Sequence, residues 1–181
     1  MNPLAFHRML RLGLATAAWL VSLYLSSALS AGPLSPATVP LSPDGTMHIS
    51  SADRCPVCAM RPARYPQSAC AIQLSDGRTF YFCETGCMLR SWLYPDIHLG
   101  VGVDRLKRVV VREYFSGAHL DGNAATWVAG SDVIGPMGPM IVPLDGEEHV
   151  RVFLRRHGGK TIFRLEEMTE DLWRKVFRRR P

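Results

Sequence analysis

The chain has 181 residues, 47% hydrophobic and 20% charged, with 13 Pro, 15 Gly, 8 Met and 5 Cys. Its net charge of +5 is held at the ends, by Arg8 and Arg11 near the start and Arg174, Lys175, Arg178, Arg179 and Arg180 near the finish. Such totals exclude a collagen-like or disordered chain, and a basic tail without a basic domain argues against a nucleic-acid binder.

The first element is a leader. His7, Arg8 and Arg11 precede an apolar stretch at 12–29, and Ala28-Leu29-Ser30 offers small residues for a cleavage site before Ala31. Residues 1–31 thus read as a signal peptide, or as a membrane anchor if uncleaved, since about 18 apolar residues nearly span a bilayer. Either way the remainder is expected in the periplasm, with residues 12–31 as the inner-membrane anchor in the second case. No Cys stands near the end of the leader, so a lipid-modified Cys is not expected there. Residues 32–46 hold four Pro and few large apolar side chains, which predicts a flexible linker, with the domain proper at 47–181.

Within that domain, 69–74 and 79–83 flank Asp76-Gly77 and read as a hairpin with Cys70, Ile72 and Leu74 on one face. A helix is predicted over 84–93, which places Cys83 at the end of a strand and Cys87 in the first helical turn. Strands follow at 106–114, 125–129 and 141–144. After them come a helix capped by Asp145 and ended by Gly158, then a strand at 161–165. Thr169 caps a last helix with Leu172, Trp173, Val176 and Phe177 on one face. Its basic end at residues 178–180 suits the helix dipole.

Export changes the meaning of the cysteines. Five Cys in an oxidising compartment cannot all pair within one chain. Cys55-Pro56-Val57-Cys58 can aim two sulfurs at one point, for a metal or for a redox disulfide. A thioredoxin-like disulfide should open a helix, and Pro62 and Pro66 argue against a helix after Cys58. Met60 sets a thioether beside Cys58, and a Cys plus Met donor set selects Cu(I). A plain packing role for Met60 stays open. Cys83 and Cys87 add a Cys-x3-Cys pair, so a zinc site of Cys55, Cys58, Cys83 and Cys87 stays open too, as do disulfides. Met137 and Met140 lie in a Gly/Pro loop with little to pack against, so a ligand role is more plausible there than for a Met at helical spacing, and packing stays equally open. The histidines read as surface or capping residues. No hydrolase motif, phosphate-binding Gly loop or acid pair appears, so no enzyme is expected.

These residues resemble the NosL family, exported copper-binding accessory proteins for nitrous oxide reductase maturation. The resemblance is carried by Cys58-Ala59-Met60 (Cys-Gly-Met in the family), Pro66-Gln67 and Asp76-Gly77-Arg78-Thr79-Phe80-Tyr81-Phe82. It continues through Trp127-Val128-Ala129-Gly130-Ser131, Gly135-Pro136-Met137-Gly138 and His157-Gly158-Gly159. It implies an α+β fold of two small ββαβ-like halves packed together, similar in topology to organomercurial lyase. It further implies a Cu(I) site of Cys58 and Met137 at least, with Met60 close by; Cys55 joins the expected metal ligands as the other half of Cys-x-x-Cys. Ala59 in place of Gly implies a backbone without positive φ there. The stretch from Cys83 to Cys87 also resembles the end of TRASH/YHS metal-binding modules.

The expected function is thus a periplasmic Cu(I) chaperone that delivers copper to nitrous oxide reductase or a related copper site, its partner being that protein or its maturation complex. A zinc-stabilised Cys-rich interaction module is the alternative, with a thiol–disulfide oxidoreductase behind it.

Overall fold

The computed structural model describes residues 35–177; the expected leader at 1–31 and the basic residues 178–180 lie outside them. The first hairpin forms where the alternation places it, as β1 (Cys70–Leu74) and β2 (Thr79–Phe82) around Gly77, whose φ of 89° suits the turn. α1 (Thr85–Leu93) and α2 (Pro95–Leu99) follow, and β3 (Leu106–Arg112) returns to the far side of β1. A short β4 (His119–Asp121), which the sequence does not announce, extends this antiparallel sheet to the order β2-β1-β3-β4.

The second half repeats the plan. β5 (Thr126–Ala129) is central, β8 (Val142–Leu144) lies on one side, and α3 (Gly146–His157) carries the chain over to β9 (Thr161–Phe163) on the other. The order β8-β5-β9 matches β2-β1-β3, so each half is a ββαβ unit whose helix crosses its middle strand. Between β5 and β8 stands a tight hairpin of β6 (Ile134–Gly135) and β7 (Gly138–Pro139), with Pro136 and Met137 at its tip. The expected Gly/Pro loop is therefore a defined turn, with Gly138 at φ 113°. α4 (Glu170–Phe177) closes the described chain; its cap is the predicted one, the Leu172 N–H donating to Thr169 Oγ1 at 3.3 Å.

Period-two alternation sends Ile72, Leu74, Phe80 and Phe82 inwards, where Met88 and Leu89 of α1 meet Trp127 and Phe163 of the second half in one shared core. Val128, between Trp127 and Ala129, faces the other way, onto Phe153 of α3. The two halves are thereby packed together, as the α+β expectation has it.

The stretch expected to be a flexible linker is different over its described part. Ala71, Tyr81 and Val110 point out of the first sheet on the side away from α1, and an apolar sheet face needs cover. Leu41, Met47, Ala37 and Ile49 supply it. The Ala37 N–H donates to Thr79 O at 2.7 Å, the Leu41 N–H to Thr79 Oγ1 at 3.1 Å, and the Tyr81 hydroxyl to Val39 O at 3.1 Å. Asp53, itself buried, secures the other end by accepting from the N–H groups of Thr38 and Ser50. Proline composition alone does not reveal this, because the few apolar side chains between the prolines do the packing.

A four-cysteine candidate metal centre

Two local structures, distant in sequence, build the site. The first is a tight loop: the Cys55 N–H donates to Met60 O at 2.8 Å, and the Ala59 N–H to Cys55 O at 2.9 Å. Closing the chain on itself so soon after Cys58 requires a left-handed residue, and Ala59 supplies it at φ 60°. The expectation that Ala in this position removes the positive φ is therefore corrected. The loop's hydrogen bonds impose the conformation and override the preference of the side chain, at a cost of about 1–2 kcal/mol.

The second is the junction of β2 and α1. Cys83 follows the last strand residue and its carbonyl accepts from Ser68 Oγ at 2.7 Å. Glu84 is the N-cap position and Cys87 sits in the first turn, so strand and helix fix both sulfurs.

The junction brings all four thiols of these segments together: the Sγ atoms of Cys55, Cys58, Cys83 and Cys87 lie within 4.8 Å of one another. Cys58 to Cys83 is 3.4 Å, and Cys87 is 3.9 Å from each of them. Bonds of about 2.3 Å to sulfur set the ligands of a tetrahedral ion about 3.8 Å apart, so the cluster has the size of a metal shell. All five cysteines are free thiols. Cys70 belongs to β1 and to the core but not to the foursome; complete burial pushes its thiol well above the ordinary range.

Charge is unevenly shared in the cluster. Hydrogen bonding within the cluster, from Cys83 and then Cys87, draws the Cys55 thiol well below its ordinary range against the opposing effect of burial. Donation to Cys55 correspondingly pushes Cys83 and Cys87 up, and burial pushes Cys58 up.

The predicted residues are distributed as follows. Cys55 and Cys58 are in the cluster, and both sulfurs of the Cys83 and Cys87 pair join them. Met137 is half exposed and lines a cleft of about 440 Å³ that reaches Cys87. Met140, Trp173, Val176 and Phe177 form further walls of that cleft. Met60 packs partly against the core and borders a separate depression with Arg54, Arg61 and Arg64. Among the described residues no histidine belongs to the cluster. His157 instead meets Asp132 at 2.9 Å and Tyr114 at 3.3 Å, and His149 meets Glu113 at 3.0 Å. Sequence reasoning passed over Glu84, a buried acid whose signal is only its place between two cysteines.

A small α+β protein of two ββαβ units, carrying a four-thiol centre of metal-ligand dimensions, is the class that fold and site define. Within it the chain belongs to the NosL family, whose model matches residues 46–173. It is 28% identical over 124 residues to the copper-binding lipoprotein NosL of Stutzerimonas stutzeri, which covers 66% of this chain. The chain spans 64% of the length of that curated relative. A crystal structure of the copper chaperone NosL from Shewanella denitrificans shares the fold, with a TM-score of 0.61 at 23% identity over 72% of this chain and 99% of that one.

Proposed function

We propose that this protein binds Cu(I) at the four-thiol cluster and hands it to a copper-accepting partner, as an exported accessory protein rather than an enzyme. The observation that carries the reading is the convergence of four sulfurs within 4.8 Å beside a cleft that also carries Met137. Thiolates and thioethers are soft donors and suit Cu(I) over harder cations. The family membership and the copper-binding relative support the same choice of metal.

Cu(I) held by two or three sulfurs leaves others free, so copper can move by exchange of one ligand at a time. Cys55 and Cys58 are the primary ligands in this reading, Cys83 and Cys87 complete the thiol set, and Met137 offers a thioether at the open side. Met60 stays in the set on its spacing from Cys58 alone. The relative's description as a lipoprotein supports export of this chain to the periplasm, by residues 1–31. Nitrous oxide reductase, or a related copper site, is the recipient the family resemblance implies.

The test is titration of the reduced protein with Cu(I) against a Cu(I)-specific chelator such as bicinchoninate. One tightly held equivalent is expected in the wild type and loss of tight binding in Cys58→Ser and in Cys83→Ser. Unchanged stoichiometry and affinity in both variants would refute the site. Met60→Leu binding as tightly as wild type would remove Met60 from it.

A second reading is favoured by the tetrahedral spacing of the sulfurs: a resident zinc that staples the 55–60 loop to the β2–α1 junction. It predicts stoichiometric zinc in the protein as purified and unfolding on chelation. A folded, zinc-free protein that takes up Cu(I) would exclude it.

A further inference from the structure

A buried acid connects the β2–α1 junction, which carries Cys83 and Cys87, to the methionine hairpin. Glu84 is the residue between Cys83 and the first turn that carries Cys87, and only 4% of its surface is exposed. Its Oε2 accepts the backbone N–H of Met137 at 3.2 Å. The same oxygen lies so close to Gly135 that a Cβ there would run into it, and Oε1 is 3.2 Å from where a Cβ on Gly86 would stand. Gly135 and Gly86 therefore leave room for the carboxylate between hairpin and helix. No cation is paired with Glu84 among the described residues. A nearly buried acid with no counter-ion costs stability, so its position calls for a role. The neighbouring residue completes the attachment: Thr85 Oγ1 donates to Ile141 O at 2.5 Å, next to the base of the hairpin.

The geometry points to Glu84 as a positioning residue that fixes the hairpin tip over the thiol cluster, so that the Met137 thioether faces the metal without being tied to the thiol-bearing segments by the chain. The contact spans 53 residues of sequence, and the other end of its acceptor residue is flanked by two ligands. This inference rests on Met137 being a copper ligand, as proposed above.

The experiment combines two measurements on the full chain. Hydrogen exchange of residues 134–140 in the metal-free protein reports the attachment itself. Cu(I) affinity, by chelator competition, is then compared among wild type, Glu84→Ala, Glu84→Gln, Met137→Ala and the Glu84→Ala/Met137→Ala double variant. Expected are faster exchange at 134–140 in Glu84→Ala, and a Cu(I) affinity lowered about tenfold, the range for a residue that orients a ligand. Met137→Ala should lose as much, and the double variant no more. Glu84→Gln, which keeps an acceptor oxygen and loses the charge, should restore both readouts. Unchanged exchange in Glu84→Ala, losses that multiply in the double variant, or failure of Glu84→Gln to rescue would each overturn the inference. Wild-type affinity in Met137→Ala would instead strike at the ligand role of Met137, and the positioning role would fall with it.

Discussion

Ala59 has the one positive φ outside glycine among the described residues, and it lies in the loop that aims Cys55 and Cys58. The strain there is local and removable. Ala59→Gly should raise the stability of the metal-free protein by about 1 kcal/mol, since the relief of the left-handed Cβ exceeds the extra freedom glycine brings to the unfolded chain. Chemical denaturation with unchanged m-value checks it; equal or lower stability would show that Ala59 is not strained. A second residue, Glu113, contributes to the stability of the fold towards acid. It is buried at the end of β3, and burial pushes its carboxyl up, but the N–H and hydroxyl of Ser116, His149 and the Phe115 N–H outweigh burial and hold it below its ordinary value of 4.5. A carboxyl lowered by folding adds stability that is present above that value and lost as pH falls through the lowered one. Glu113→Gln should therefore cost about 1–3 kcal/mol at pH 7 and flatten the fall in stability below pH 4.5. A wild-type acid limb in the variant would refute the assignment.

Elements are legible where their period or their ends are local. The hairpin at 70–82, α1 behind Cys83, α3 between Asp145 and Gly158, and α4 behind Thr169 all form within a residue or two of the reading, because alternation, turn glycines and capping residues act over a few positions. Asp145 does occupy the N-cap position of α3, but its side chain makes no capping hydrogen bond, so position and chemistry separate there. β4 and the β6–β7 pair escape, being two or three residues long and stabilised by partners rather than by their own pattern. The segment before Met47 escapes for a related reason: nothing in its prolines says that a sheet face waits for it. Leu41, 5% exposed against Tyr81 and Val110, tests that packing. Leu41→Ala should cost about 2 kcal/mol or more, as for a buried leucine, whereas a flexible linker would give no measurable change.

At the scale of the whole molecule, a metal bound at the cluster as proposed would act as a cross-link. It joins the loop at 55–58 to the junction at 83–87, two segments that the first hairpin separates. A metal that binds only the folded arrangement adds its binding free energy to stability, about 4 kcal/mol at a thousandfold excess over Kd. Thermal unfolding in buffered Cu(I) should accordingly shift up by roughly 10 °C, and the shift should vanish in Cys58→Ser. An equal shift in that variant would place the metal elsewhere. Cleft and cluster also meet at this scale, since α4 supplies Trp173 and Phe177 to a wall whose other side is the Met137 hairpin.

By itself the sequence determined the longer strands, the turns and helix ends, and the Cys-x-x-Cys and Cys-x3-Cys spacings, because each depends on residues a few positions apart. It placed Cys55 and Cys58 together and left Cys83 and Cys87 as a pair whose destination was open. Tertiary structure alone decided that these pairs meet, that Cys70 stays out, that Ala59 is left-handed, and that Glu84 reaches Met137. Those outcomes depend on how two sheets and the chain before them pack, and a local pattern carries no record of which distant loop it will face.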